Sequence, residues 1–297
     1  MTYSGVHALG TVRQLWQLLE PVHAIVYFAP EAYEEAGALG YATDDRWPMY
    51  FAFRAAPLGP VEPQLVNALF FSLSPRMVER YVAQSWHTAP PAGVLAARAV
   101  AADRSLRALL GERTASPDLA EAAMLARRAA EAAATSGRPL AAANAALPWP
   151  DAPHAVLWHA ATILREHRGD GHLAALQAHH LDAVESLVLH SGVGAAPAEW
   201  FESRQWSAEE WNAARDRLVA RNLLAEDGTA TGAGLALRTA VEKLTDELAS
   251  APWSALTPQE TARLAELLLP PVLDIVGAGL LPTQSTLGIG MKYDYEG

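Results

Sequence analysis

The chain has 297 residues, 51% hydrophobic and 19% charged, a composition that excludes intrinsic disorder and suits one large globular domain or two ordinary ones. Lysine plus arginine number 22 against 33 aspartates and glutamates, and the resulting net charge of -11 disfavours phosphate backbones and anionic membrane surfaces as partners. The absence of cysteine excludes disulfides, thiolate nucleophiles and any Cys-ligated cofactor, and fits a cytoplasmic protein.

Apolar spacing is helical almost throughout, so the expected fold class is mainly α. Val12, Leu15, Trp16, Leu19, Val22, His23, Val26 and Tyr27 recur three or four apart and form one face of a helix, which Pro21 kinks or restarts. Tyr50, Phe51 and Phe53, within 48–54, alternate or run aromatic as an extended segment does, but the proline-rich neighbours argue against a strand. A proline-rich turn precedes a helix over 64–72, and Pro75 opens the next at the first-turn position that tolerates proline. Helices follow over 91–110 and 117–135, the second with Ser116 as N-cap and Gly137 just past its end. Pro148, Trp149, Pro150 and Pro153 stop helix formation and mark a boundary. Beyond it, helices over 154–167 and 172–190 flank a predicted corner, Arg168-Gly169-Asp170-Gly171. No residue run is long and apolar enough for a signal peptide or a membrane span.

The clearest module spans 206–249. Ser207 with Glu210 is a capping box. The helix it opens runs through Trp211, Ala214, Leu218 and Val219 and stops near Asn222. Leu223 and Leu224 enter a short strand, Asp227-Gly228 reverses the chain, and Thr231-Gly-Ala-Gly234 leads into a last helix, Leu235 to Leu248. This is the order of a winged helix. The expected organisation is therefore an N-terminal helical region over 1–150, a His-rich helical hairpin over 151–196, the winged-helix module over 197–250, and a closing helix and tail over 251–297.

These residues, together with Leu19-Glu-Pro-Val-His-Ala24, Arg54-Ala-Ala-Pro-Leu-Gly-Pro-Val61, Leu147-Pro-Trp-Pro150 and Leu164-Arg-Glu-His-Arg-Gly-Asp-Gly-His172, resemble a family of winged helix-turn-helix-containing proteins from high-GC, actinobacterial-type bacteria. The resemblance implies a helical region joined to a winged helix and no activity that transfers residue by residue. From 202 to 246 the module carries six basic residues against eight acidic ones, and Glu209 and Glu210 open its would-be reading helix, so DNA is a disfavoured partner. A packing or dimerising winged helix, as in a homodimer, is the bland alternative.

Seven of the ten histidines lie between His154 and His190. His167 and His172 flank the predicted corner with Asp170 between them. They are catalytic candidates together with His23, and Asp170 would either orient an imidazole or merely cap a helix. Glu20 and His23, three apart on one helix face, resemble half of a carboxylate-bridged metal site. The expected cofactor, if any, is a metal ion on Glu20, His23, His154 and His172, although hydrogen bonding within the core explains the same residues. Arg54 with Tyr27 and Trp158 are the substrate-binding candidates, set against ordinary packing.

The leading expectation is a small-molecule-binding protein, an enzyme of specialised metabolism, with its pocket between the N-terminal helices and the hairpin. It requires His23 and His172 to line a common hollow. The alternatives are a ligand-responsive winged-helix transcription regulator and a structural, dimerising protein without catalysis.

Overall fold

The computed structural model describes residues 7–283, 285–289, 291 and 293. Thirteen α-helices run through them: α1 Leu9–Ala24, α2 Pro30–Ala38, α3 Trp47–Ala55, α4 Pro63–Phe70, α5 Pro75–Thr88, α6 Pro91–Leu110, α7 Pro117–Glu131, α8 Pro139–Ala145, α9 Pro153–Ala178, α10 Ala183–Gly192, α11 Ala208–Ala220, α12 Gly232–Leu248 and α13 Pro258–Gly277. Eight of them start on proline, whose fixed φ suits the first turn and whose missing N–H is not needed there. Ser74, Ser116 and Thr231 cap their helices, and Asp182–Glu185, Ser207–Glu210 and Thr257–Glu260 form full capping boxes. Among the described residues the only β-pairing outside the helices is one antiparallel bridge, Leu224 to Ala230. No described helix is long and apolar enough to cross a membrane.

The helix α9 is the axis. It packs against α1, α6, α7, α8 and α12. Ala122, Ala126 and Ala129 on α7 and Ala160 and Ala161 on α9 belong to the core these two packed helices share, and such small side chains let helices approach closely. Leu15, Leu157 and Leu264 close the same core with at most 1% exposure, each burial being worth about 1.5–3 kcal/mol. A second cluster joins α3, α4 and α5, and a third joins the end of α9 to α10, α11 and α12. Phe71, which follows α4, packs into that third core at a φ of 44°.

Several expectations are corrected. Residues 48–54 are helical: Phe51 and Phe53 point into two different cores from α3. Pro21 sits inside α1 without ending it, and the chain tightens to a 3₁₀ turn only at 25–27. No corner forms at 168–171. Gly169 and Gly171 are interior to α9, and the chain breaks instead at His179–Asp182, with His180 at a φ of 54°. Residues 168–171 read as a turn in isolation, but Arg168 finds its partners on α12 and Asp170 on α8. The helix α8 was not anticipated, and the expected strand at Leu223-Leu224 shrinks to the one bridge.

Gly234 is required where α12 begins. A Cβ there would stand 2.1 Å from the Leu223 carbonyl oxygen, so only glycine lets the hairpin lie against the first turn of α12. The tail docks on the body as far as it is described: Thr286 accepts a hydrogen bond from Arg204, and the Tyr293 ring lies 4.5 Å from the Arg13 guanidinium. Tyr295 and its neighbours at the end of the tail lie outside the described residues.

Candidate functional site

Two buried ionic clusters occupy the face where α1 and α9 meet. On α1 the residues are Arg13, Trp16, Glu20 and His23, spaced to share one helix face; on α9 they are Arg165, Glu166, Arg168 and His172.

Glu166 centres the first cluster. Arg54 on α3 grips it through two bonds, Nε to Oε1 at 2.9 Å and Nη2 to Oε2 at 3.0 Å, and Arg165 adds Nη1 to Oε2 at 3.1 Å. Only 1% of the Glu166 side chain and 11% of Arg54 reach solvent, so the charges must balance internally. Burial alone would raise the Glu166 carboxyl, but Arg54 and Arg165 hold it far below the usual range. Arg54 also donates to the Tyr50 hydroxyl at 3.0 Å and lies 4.3 Å from the Phe70 ring centre. Burial would raise the Tyr50 phenol as well, yet Arg54, Arg165 and Arg204 outweigh it and lower it. Glu20 accepts from Trp16 at 3.1 Å and stands 3.5 Å from Arg165.

The second cluster joins the body to α12. Glu242 and Asp246 face Arg13, Arg168 and Arg238: Arg13 reaches Glu242 at 2.6 Å, Arg168 reaches Asp246 at 2.9 Å, and Arg238 binds Glu242 one turn away on its own helix. Trp16 connects the clusters, with the Arg168 guanidinium 4.0 Å from its ring centre.

His23 and His172 lie in different clusters but share one local design. The His23 Nδ1 is 3.0 Å from the Thr162 hydroxyl, which donates to the Trp158 carbonyl; the His172 Nδ1 is 2.9 Å from the Thr245 hydroxyl, which donates to the Val241 carbonyl. Because each hydroxyl proton is spent on a backbone carbonyl, each imidazole donates from Nδ1. Burial, reinforced at His23 by Arg165, keeps both rings neutral: His23 falls well below its ordinary value and His172 falls to about 3. Neither ring lines the cavity of about 10 Å³ bounded by Trp16, Leu19, Arg165, His167 and Arg168, which has room for about one water.

The other anticipated residues disperse. Tyr27 stacks edge-on to His23 and Tyr50, and its phenol is raised by burial. Trp158 is buried beneath Arg98, 5.1 Å from its guanidinium. The His167 carbonyl accepts from Arg138, and burial lowers its imidazole to about 4. Asp170 caps neither its own helix nor an imidazole. Its Oδ2 accepts from the Ala141 amide at 3.0 Å in the first turn of α8, and burial raises its carboxyl to about 6. His154 binds Asp103 on α6 at 2.7 Å. Glu20, His23, His154 and His172 therefore do not gather into one ligand set, and no three His, Asp or Glu side chains among the described residues are placed to hold a metal ion.

Sequence reasoning overlooked Arg165, Glu166, Arg204, Arg238, Glu242 and Asp246, and singled out Arg168 only as part of the predicted corner. One signal was present: 238, 242 and 246 repeat every fourth residue of a helix, a charged stripe on a face that packing requires to be covered.

On α11 the outer face is Glu209, Asn212, Ala213 and Asp216. Its arginines are engaged within the molecule. Arg217 bonds Glu185 at 2.9 Å and Asp182, Arg221 bonds Glu185 at 3.2 Å, and Arg215 bonds the Glu226 carbonyl. Glu210 is held by Arg76 of α5 through bonds of 3.0 and 2.7 Å.

The chain belongs to a helix-turn-helix family, whose model it matches over residues 12–282. Neither the curated proteins nor the solved structures yield a match.

Proposed function

We propose that the protein is a ligand-responsive helix-turn-helix regulator, in which α10, α11, the Leu224–Ala230 hairpin and α12 act as a winged helix and the N-terminal helices act as the sensor. The observation that carries this reading is the extent of the family match: residues 12–282 take in the helical body and the module together, as expected when the two work as one unit. The ionic seam supports it. Arg13 and Arg168 tie α1 and α9 to α12, so a displacement of either helix is felt by the module. The catalytic expectation loses its basis, because His23 and His172 are each satisfied by a threonine rather than turned toward a shared hollow.

In the described conformation Arg217 and Arg221 are held by Asp182 and Glu185 and Arg215 by the Glu226 carbonyl, and DNA contact exchanges those partners for phosphates. A gel shift with the protein's own upstream DNA at low salt tests the reading. The expected outcome is a shift that weakens as salt rises and disappears in Arg215→Ala/Arg217→Ala. No shift at micromolar protein removes the regulator. The acidic outer face of α11 then favours a second reading, a module that packs against another copy of the chain, which sedimentation equilibrium would detect as a dimer.

A further inference from the structure

Arg204 ends the 3₁₀ segment Ala198–Arg204 that precedes α11. It stands at the junction between body and module: its carbonyl accepts from the Ser74 amide at 3.0 Å, and the next tryptophan, Trp206, donates to the Ser72 carbonyl at 3.0 Å. Both chain segments meeting here have left-handed backbone, Phe71 at a φ of 44° and Gln205 at 58°. For a residue as bulky as Phe71 that conformation is strained, and such strain concentrates at functional sites.

The charges at this junction do not balance. Arg204 has no carboxylate partner among the described residues. Its Nη2 donates to the Thr286 hydroxyl of the tail at 2.8 Å, and its buried Nε has no acceptor. Arg46, beneath which lie the Trp47 and Phe28 rings at 4.2 and 5.2 Å, has no ion pair among the described residues either, and the neighbouring Asp45 accepts from Tyr81 instead. Against Arg46, Arg54, Arg165 and Arg204 stand Glu166 and Glu20, both already paired, and Asp45 beside Arg46 in the chain. That leaves one positive charge in surplus, and Arg204 without a carboxylate of its own, in a protein whose net charge is -11. Burial, together with Arg46, Arg54 and Arg165, lowers the Arg204 guanidinium to about 10.

We propose that this junction binds a small phosphate-bearing dianion, held by Arg204 and Arg46 beside the Tyr50 hydroxyl, with the Thr286 hydroxyl as the group it displaces. A phosphate monoester carries about -1.5 to -2 at neutral pH and three acceptor oxygens, which suit a cationic junction and the forked donors of two arginines that have no ion pair. The ligand bridges α3 of the body to the entry of α11, where occupancy reports directly to the module. The proposal deepens the regulatory reading and rests on it for the use of binding, not for binding itself.

Titration calorimetry of the full chain with inorganic phosphate, at constant ionic strength and with acetate and malonate as comparison probes, tests it without DNA. Saturable phosphate binding is expected, weakened at least tenfold in Arg204→Gln and in Arg46→Gln and unchanged in Arg127→Gln, whose partner is the surface residue Glu131. Thr286→Ala is expected to tighten it. Without phosphate, Arg204→Gln should melt no lower than wild type, since it removes a sequestered cation that has no counter-charge. An equal response of wild type and Arg204→Gln, a preference for malonate, absence of saturable binding, or a lower melting temperature for Arg204→Gln overturns the site. If the gel shift fails while phosphate still binds, the regulator falls and the site stands.

Discussion

The two halves of α9 solve burial in opposite ways. From Ala155 to Leu164 the helix is mostly apolar, with His159 and Thr162 as its buried polar groups, and Val156, Leu157, Ala160, Ala161 and Ile163 need only close neighbours. From Arg165 to His172 it is equally buried but charged, and Glu166, Arg168, Asp170 and His172 each require a partner of defined chemistry from α1, α3, α8 or α12. An apolar surface accepts many neighbours, whereas a buried charge specifies one. The first half therefore gives the body its stability, and the second sets how body and module are joined.

The largest expected effect is in the charged half. Glu166→Gln leaves Arg54 and Arg165 buried without their counter-charge and should cost about 3–5 kcal/mol in urea denaturation. A loss below about 1 kcal/mol would show that solvent already compensates this cluster. In the apolar half, Leu157→Ala should cost about 3 kcal/mol through lost transfer energy and cavity formation, by the same amount at every pH.

Acid sharpens the contrast further. His167 and His172 have folded pKa values of about 4 and about 3 against 6.5 for the free side chain, so the unfolded chain takes up their protons first. The stability they contribute is complete above pH 6.5 and is lost as pH falls toward those folded values, by up to about 1.4 kcal/mol per pH unit for each. Asp170 acts with the opposite sign. Its folded value of about 6 lies above 3.8, so its share of stability grows as pH drops through that interval. Urea midpoints at pH 7 and pH 5 should show a net loss, and His172→Gln should flatten the slope; an unchanged slope would mean that His172 is not buried neutral.

The smallest effect discriminates between a corner and a continuous helix at 168–171. A Cβ at Gly169 would have Glu166 Oε2 at 3.6 Å as its nearest neighbour, an ordinary contact, so Gly169→Ala should stabilise α9 by about 0.5–1 kcal/mol. Destabilisation would restore the corner.

Features that are local in origin were legible in the chain. Pro75, Pro91 and Pro117 start helices as expected, the helix at 91–110 has the anticipated ends, and the Ser207–Glu210 box and the left-handed Asn222 place the module, whose last helix begins three residues before the expected Leu235. What was not legible depends on contacts distant in sequence. Arg-Gly-Asp-Gly has turn composition, and only Arg138, Ala141, Glu242 and Asp246 make it helix. His23 and His172 drew attention as reactive groups because their partners, Thr162 and Thr245, carry no charge and leave no mark in a search for ligands.

Phe71 has a consequence for how the chain reaches its folded state. Its ring, contributed from more than a hundred residues upstream, completes the packing of Leu176, Leu189, Leu218 and Leu224. The segment from α10 to α12 is thus not a portable cassette: synthesised by itself it would present an unfilled apolar seat, and during biosynthesis that seat is filled by chain that has already emerged.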